Sequence, residues 1–446
     1  MRFLIIGGDA AGMSAASKAK RKNPDLDVVV LEKSMDVSYS ACGMPYNIAD
    51  PETGMDQLVV RDADTFINTN KIDLRCGHWA EAVDPVSRTV TGIDPDNNRF
   101  FLSYDTLLIA TGASPVMPEI PGVGLPGVFP LKNLDHGRKI KHFIGARGVR
   151  RAVIIGMGYI GLEMCEALCA RSIAVEMVKP GPVLLPWMNP ELSDVVEQEL
   201  SLNRVAIHPG HEIKAIRPNG GSLRVVCDTM DLDADMVIVA SGVTPNSRLA
   251  KDAGLDTGPS GAVAVDARLK TSDPHIYSAG DCADAIHVVT GGKCWIPLAL
   301  RANRAGWAVA DNVCGMETRL PGVVGTAVFK LFSLEIARTG LTVKEARAAG
   351  FDPVEVVVKT RSKAHGHKGS STIYTAMAGD RQTGRLLGVQ MVGHGGVAHR
   401  INAPAVALHN HMDVQGFAQA DLAYAPPFGP VWDPVLTAAN QLLKKL

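Results

Sequence analysis

The chain has few aromatic residues, no surplus of either charge, no apolar run of membrane-spanning length and no C-x-x-C pair. Each lack excludes something. Without 18 or more consecutive apolar residues there is no candidate transmembrane helix. A formal net charge of −1 gives no broad attraction to nucleic acid or to an anionic membrane. Met1 leads straight into an apolar strand, with no basic-then-apolar leader, so a cytoplasmic location is expected. Eight cysteines (42, 76, 165, 169, 227, 282, 294 and 314) in 446 residues are too sparse for a secreted disulfide scaffold. Cys165 and Cys169 fall on one helix face and read as two small buried residues. Too few ligands lie near them for zinc, and no metal site is expected.

What is present in quantity is glycine, 44 residues, alongside 27 prolines. Such a chain turns tightly and approaches ligands with bare backbone. Two stretches concentrate that chemistry. Residues 2–6 read as a buried strand, then Gly7-Gly8-Asp9-Ala10-Ala11-Gly12 turns into a helix, and a second strand ends at Glu32. Strand, glycine turn, helix, strand and acid read as a dinucleotide-binding unit, the alternative being an ordinary βαβ turn. The helix N-terminus faces a pyrophosphate, Gly12 lets helix and strand pack closely, and Glu32 accepts from a ribose. Asp9 departs from the pattern, standing where the fingerprint has its second glycine.

The second stretch is cleaner. A strand over 151–155 enters Gly156-Met157-Gly158-Tyr159-Ile160-Gly161, a helix carrying Glu163 follows, and the next strand spans 174–178. The full G-x-G-x-x-G lies in its required context. Lys179 ends that second strand, where an acid favours NADH. A cation there suits the 2′-phosphate of NADPH, or is simply a solvated lysine. Two such units imply two dinucleotides, and a nicotinamide coenzyme with a flavin is the sensible pair. Residues 107–112, ending in Thr111-Gly112, and residues 276–281, ending in Gly280-Asp281, support the flavin. Asp281 there either holds a ribityl chain or caps a following helix.

The layout expected is a flavin domain from 1–111 and 246–320, a Pro/Gly-rich connection over 112–150, a nicotinamide unit over 151–245, and a last domain over 321–446. In the last domain 354–359 and 386–392 read as strands, 342–349 and 399–410 as helices.

Cys42 follows Glu32 closely, in Ser38-Tyr39-Ser40-Ala41-Cys42-Gly43-Met44-Pro45-Tyr46. Pro45 suits a helix start. A thiol at a helix N-terminus ionises more easily and becomes nucleophilic; the alternative is a buried, inert cysteine. With no C-x-x-C partner, Cys42 cannot store two electrons as an internal disulfide. It pairs with an external sulfur or is oxidised to sulfenic acid.

Together, S-Y-S-A-C-G-M-P-Y (38–46), A-T-G-A (110–113), G-M-G-Y-I-G-L-E (156–163), G-V-T-P-N (242–246), S-A-G-D-C (278–282) and D-L-A-Y-A-P-P-F-G-P-V-W-D-P (421–434) resemble the single-cysteine pyridine nucleotide–disulfide oxidoreductases across essentially the whole chain. That group includes coenzyme A disulfide reductases, CoA-dependent sulfur or persulfide reductases, and NADH oxidases and peroxidases. The resemblance implies an α/β fold of two Rossmann-like domains, for FAD and for NAD(P), plus a C-terminal α+β dimerisation domain in a homodimer. It assigns Gly7, Gly12, Glu32, Lys33, Thr111, Gly112, Lys132 and Asp281 to FAD, and Gly156, Gly158, Tyr159, Ile160, Gly161, Lys179 and Gly242 to NADH or NADPH. Glu163 falls near the nicotinamide side of the flavin. Tyr424 matches a tyrosine that reaches the partner's cysteine across the dimer. His367 stands in a segment where relatives carry a second tyrosine, and is a substitute proton donor.

For coenzyme A, the resemblance points to the first helix with Ser14, Lys18, Arg21 and Lys22, to Ser38, and to a second basic cluster with Arg361 and Lys368. The basic stretch of that helix reads equally as a solvated helix end complementing the dipole. The expected reaction is NAD(P)H-dependent reduction of CoA disulfide or a CoA persulfide or polysulfide through Cys42. The alternatives are an NADH oxidase working through a Cys42 sulfenic acid and a flavin-dependent redox sensor. Small molecules and a second copy of the chain are the expected partners, with no nucleic acid or membrane.

Overall fold

The computed structural model describes residues 1–446. β1 (Arg2–Ile6), α1 (Ala10–Lys22), β2 (Asp27–Glu32), α2 (Met44–Ala49) and β3 (Asp73–Cys76) open the chain. An antiparallel sheet follows, of β4 (Trp79–Asp84), β5 (Thr89–Ile93) and β6 (Arg99–Ser103), and then β7 (Thr106–Ile109). After β8 (Ala113–Pro115), β9 (Val128–Pro130) and α3 (Leu134–Arg147) come β10 (Arg151–Ile155), α4 (Tyr159–Ala170), β11 (Ala174–Lys179), α5 (Pro190–Leu202) and β12 (Ala206–Pro209). β13 (Ile213–Asn219), β14 (Ser222–Cys227) and β15 (Asp231–Ala234) form a second antiparallel sheet, followed by β16 (Met236–Val239), β17 (Val243–Pro245) and α6 (Arg248–Asp252). β18 (Ile276–Ser278), a hairpin of β19 (Ala285–Ile286) and β20 (Lys293–Cys294), and α7 (Ala299–Val313) lead to the last domain.

Two five-stranded sheets organise the first three hundred residues. One has the order β18-β7-β1-β2-β3, the other β12-β11-β10-β16-β9, and every pairing within them is parallel. Parallel strands are buried on both faces, and β1, β2, β10 and β16 are accordingly near-continuous Val, Ile and Leu. The chain crosses between the sheets twice. The crossings pair antiparallel as β8 with β17, so the second domain is an insertion hung on a two-stranded neck. The stretch 112–150, read from sequence as a connection, needs correcting: β9 is an edge strand of the second sheet, in register Val128 to Val237. Pro130 ends β9, and an edge tolerates the missing donor.

The last domain is built on β21 (Ala327–Leu331), β22 (Leu334–Gly340), α8 (Val343–Ala348), β23 (Pro353–Arg361), β24 (Thr372–Asp380), β25 (Leu386–Gly393), α9 (Val397–Arg400), α10 (Asn402–His409), α11 (Val414–Ala418) and α12 (Pro434–Leu443). Its sheet runs β21-β22-β25-β24-β23, antiparallel throughout. A single helix was expected over 399–410; two form, because Pro404 has no N–H for the carbonyl of Arg400. This domain does not stand apart. Phe329, Leu331, Ile336 and Val392 share one apolar cluster with Leu162, Met164 and Met177 of the second domain and with Met44 and Ile48 of α2. No helix is long and apolar enough to cross a membrane.

Candidate active site

Each glycine turn is fixed by close backbone approach. In the first, Gly7 has φ +114° and donates its N–H to Leu31 O at 2.8 Å. A Cβ on Gly12 would lie 1.9 Å from Gly7 O, so only glycine lets α1 start there. The second turn repeats the geometry: Gly156 has φ +109°, donates to Val178 O at 2.8 Å, and a Cβ would meet Ala240 O at 2.2 Å. Glu32 is held by the first turn, its carboxylate accepting from Gly8 N at 2.7 Å, Ser34 N at 2.7 Å and Ser34 Oγ at 2.8 Å.

Both turns open on one cleft of about 2050 Å³. Pockets for one small ligand run to roughly 300–1,000 Å³, so this cleft has room for more than one nucleotide. Glu32, Lys33, Ser38, Cys42, Thr111, Gly112, Lys132, Gly158, Tyr159, Ile160, Gly242 and Asp281 line it. Thr111 Oγ1 donates to Asn246 O at 2.6 Å and Asn246 Nδ2 to Thr111 O at 2.8 Å, which ties the two crossings together. Asp281 heads no helix, so its alternative role as a cap is corrected; it pairs with Lys132 at 3.1 Å.

Cys42 lies in a short 3₁₀ turn, Ala41–Gly43, just ahead of α2. The apolar face of α2, Met44 and Ile48, packs into the shared core. Its far end is clamped by cations. Lys141 of α3 donates to Asn47 O at 2.9 Å and Asp50 O at 2.6 Å, and Arg171 donates to Ile48 O at 3.1 Å. Cations belong at a helix C-terminus, where carbonyls are unpaired. The thiol therefore sits on a fixed element, at a position where its own surface opens on the cleft.

A family model for pyridine nucleotide-disulphide oxidoreductases matches residues 1–306, and one for the dimerisation domain of that family matches 326–434. The chain belongs to the pyridine nucleotide-disulphide oxidoreductases. Within them it falls in the single-cysteine branch. It is 37% identical to a Pyrococcus horikoshii NAD(P)H coenzyme A polysulfide/persulfide reductase over 99% of this chain and 98% of that one. It is 33% identical to a Methanocaldococcus jannaschii NADH oxidase, over 100% and 99%. Among solved structures, an NAD-dependent persulfide reductase from A. fulgidus superposes with a TM-score of 0.96 at 35% identity, covering 100% of this chain and 83% of that one. The parallel-sheet domains are the FAD- and NAD(P)-binding domains of this oxidoreductase, and the antiparallel one is its dimerisation domain.

The electrostatics of the oxidoreductase's cleft correct one expectation. A helix N-terminus was expected to ease ionisation of Cys42, yet the thiol is pushed up, first by desolvation and then by Glu163. The reason is geometric: α2 is only six residues long and begins two residues after the thiol, so its dipole is short, while a carboxylate from α4 faces it. Glu163 is itself raised to about 7, chiefly by burial, and accepts from Tyr46 Oη at 3.3 Å. The motif around Cys42 gives Tyr46 no role in sequence; only the fold brings it to Glu163.

The other sequence-derived residues divide. Ser14 and Arg21 line the cleft, with Ser14 Oγ donating to Asn303 Oδ1 of α7 at 2.6 Å. Lys18 and Lys22 do not line it; they pair with Asp311 of α7 at 2.6 and 3.3 Å, so the basic face expected on α1 is largely spent on holding α7. Lys179 is off the cleft and donates to Val183 O at 2.8 Å and Leu184 O at 3.3 Å. Gly161 supports the second turn from behind, a Cβ there lying 2.5 Å from Gly156 O. Arg361, His367, Lys368 and Tyr424 lie on the dimerisation domain and are not brought to the Cys42 cleft of their own chain. Asn303 and Trp307, both of α7, also line the cleft, and no sequence signal pointed to them.

Proposed function

We propose that the chain is an FAD-dependent NAD(P)H oxidoreductase that reduces coenzyme A disulfide, or a CoA persulfide or polysulfide, through Cys42. The observation that carries this reading is Cys42 itself, an unpaired thiol in the wall of the cleft shared by both glycine turns. The named activity of the Pyrococcus relative, matched end to end, supports the substrate class.

The residues fit the cofactors. Glu32 and Lys33 would hold the adenosine of FAD, the α1 N-terminus with Gly7 and Gly12 its pyrophosphate, and Thr111, Gly112, Lys132 and Asp281 its ribityl and ring end. Gly156, Gly158, Tyr159, Ile160, Gly161 and Gly242 would hold the nicotinamide nucleotide. The chemistry that bound FAD would supply is two-electron transfer from NAD(P)H to a disulfide at Cys42. The chain does the rest. The Cys42 thiolate attacks one sulfur of the substrate, a Cys42–S-CoA bond forms, and the other sulfur leaves with its electron pair and takes a proton. Two electrons and one proton then cleave that bond, returning the Cys42 thiolate and CoA thiol. Tyr424 of the second subunit in a homodimer, with His367, would donate to the departing sulfur. Ser14, Arg21 and Ser38, with Arg361 and Lys368 of the second subunit, would hold CoA.

Cys42→Ser tests this under anaerobic conditions with NADH and CoA disulfide. The expected loss in turnover is about 10³-fold or more, with transfer to an artificial quinone retained. Full disulfide reduction by the variant would overturn the thiol cycle. A second reading, oxygen reduction through a Cys42 sulfenic acid, is favoured by the 33% identical NADH oxidase. Oxygen consumption faster than anaerobic CoA disulfide reduction would select it.

A further inference from the structure

Asp9 is a carboxylate in a place meant for bare backbone. The second glycine of a dinucleotide turn lets the chain approach the pyrophosphate. Here Asp9 immediately precedes α1 and lines the cleft with Lys132, Asp281 and Cys42. It does not cap the helix, since its side chain accepts no N–H from α1. The first backbone bond of that helix is Met13 N–H to Asp9 O, which leaves the earlier amides to a ligand. The backbone of Tyr39, on the loop leading to Cys42, favours the ionised Asp9 carboxylate, against the larger effect of burial.

The charges facing Asp9 come from every side of the turn. Glu32 acts on it from the end of β2 and Asp281 from the loop after β18, both as like charges, while Lys132 is the cation that acts on it. Lys132 is already shared with Asp281. Burial is the largest effect and lifts the carboxyl to about 6. An incoming pyrophosphate brings further negative charge to the same helix end.

We infer that Asp9 makes FAD capture proton-linked: the site takes up the dinucleotide with Asp9 neutral, drawing a proton from solvent as the pyrophosphate meets α1. This rests on reading the first turn as the flavin site. By linkage, an acid that must be neutral in the complex weakens binding by up to about tenfold for each pH unit above its own ionisation.

The test is FAD titration of the full-length chain stripped of flavin, at pH 6, 7 and 8, followed by flavin fluorescence. Calorimetry in two buffers of different ionisation heat counts the protons. Wild type is expected to bind more weakly as pH rises, with proton uptake, and Asp9→Asn is expected to be nearly flat and tighter than wild type at pH 8. Asp9→Gly, which restores the fingerprint residue, gives the same readout if the Asn variant does not fold. An equal pH slope in wild type and variants, or no proton uptake, overturns the inference alone. Failure of wild type to bind FAD at any pH overturns the flavin reading and this inference with it.

Discussion

Glu163 reaches Cys42 from another domain and adds to burial in raising its thiol. Its carboxylate is the largest charge effect raising the Cys42 thiol, so Glu163→Gln is expected to increase the thiolate fraction. Alkylation at pH 8, read by mass spectrometry on the peptide containing residue 42, should be faster in the variant. The carboxyl also carries a stability signature. It is held at about 7 against an ordinary 4.5, so the native state binds a proton that the unfolded state has released. Stability is then lost as pH rises from about 4.5 through about 7, and the loss is complete above it. Glu163→Gln should flatten the melting temperature across that window; a slope unchanged from wild type would assign it to other groups. At this scale the place of Cys42 in the cleft wall was legible, because it follows the acid-terminated strand at close range. Its ionisation was not, because Glu163 and Cys42 are neighbours only after two domains pack. The same holds for Lys18 and Lys22, whose i, i+4 spacing announced a basic face but not the Asp311 that faces it.

Elements were readable where the pattern is dictated by covalent geometry. Both strand–glycine–helix units formed where expected, since no residue but glycine fits at Gly12 or Gly156. Gly156→Ala is therefore expected to lose NAD(P)H binding and to lower stability by about 1–3 kcal/mol, measured by nucleotide titration and thermal melting. Near-native binding by the variant would show that the turn can give way. Strands without an apolar run were missed. β24 is paired on both sides within the antiparallel sheet, yet Thr372–Asp380 is rich in Thr, Ala and Gly, whose small side chains suit crowding on both faces and hide the alternation. β9 was missed because three residues among prolines and glycines carry too little signal; its partner β16 supplies the order. Lys179, at the end of β11, poses a choice between coenzymes. Its ammonium is satisfied by two loop carbonyls, which a 2′-phosphate has to outcompete. Lys179→Glu is expected to lower kcat/KM for NADPH at least about tenfold relative to NADH. An unchanged ratio would leave Lys179 as a clamp on the 180–184 loop.

The whole molecule is an inserted domain on a neck, with a third domain fused to it through a common core. That fusion fixes α2, and so Cys42, against both neighbours. The dimerisation domain also leaves Tyr424 half-exposed at 49%, with Phe428 and Trp432, further along the same segment, exposed at 79% and 63%. These three exposed large apolar side chains within nine residues suit a segment that an interface covers, in keeping with a dimerisation domain. Which chain's cleft Tyr424 serves is a property of the assembly, and no single-chain pattern carries it; the resemblance alone supplied it. Tyr424→Phe should slow disulfide reduction while leaving hydride transfer to the flavin, seen as bleaching by NADH, at its wild-type rate. The most direct measurement is mass spectrometry of the NADH-reduced, anaerobic protein quenched at intervals after mixing with CoA disulfide. The expected result is one CoA-sized disulfide adduct per chain, on the peptide containing Cys42, that forms and then vanishes when NADH is in excess. Turnover with no adduct there, or with CoA mass accumulating on another cysteine, would contradict passage of the electrons through Cys42.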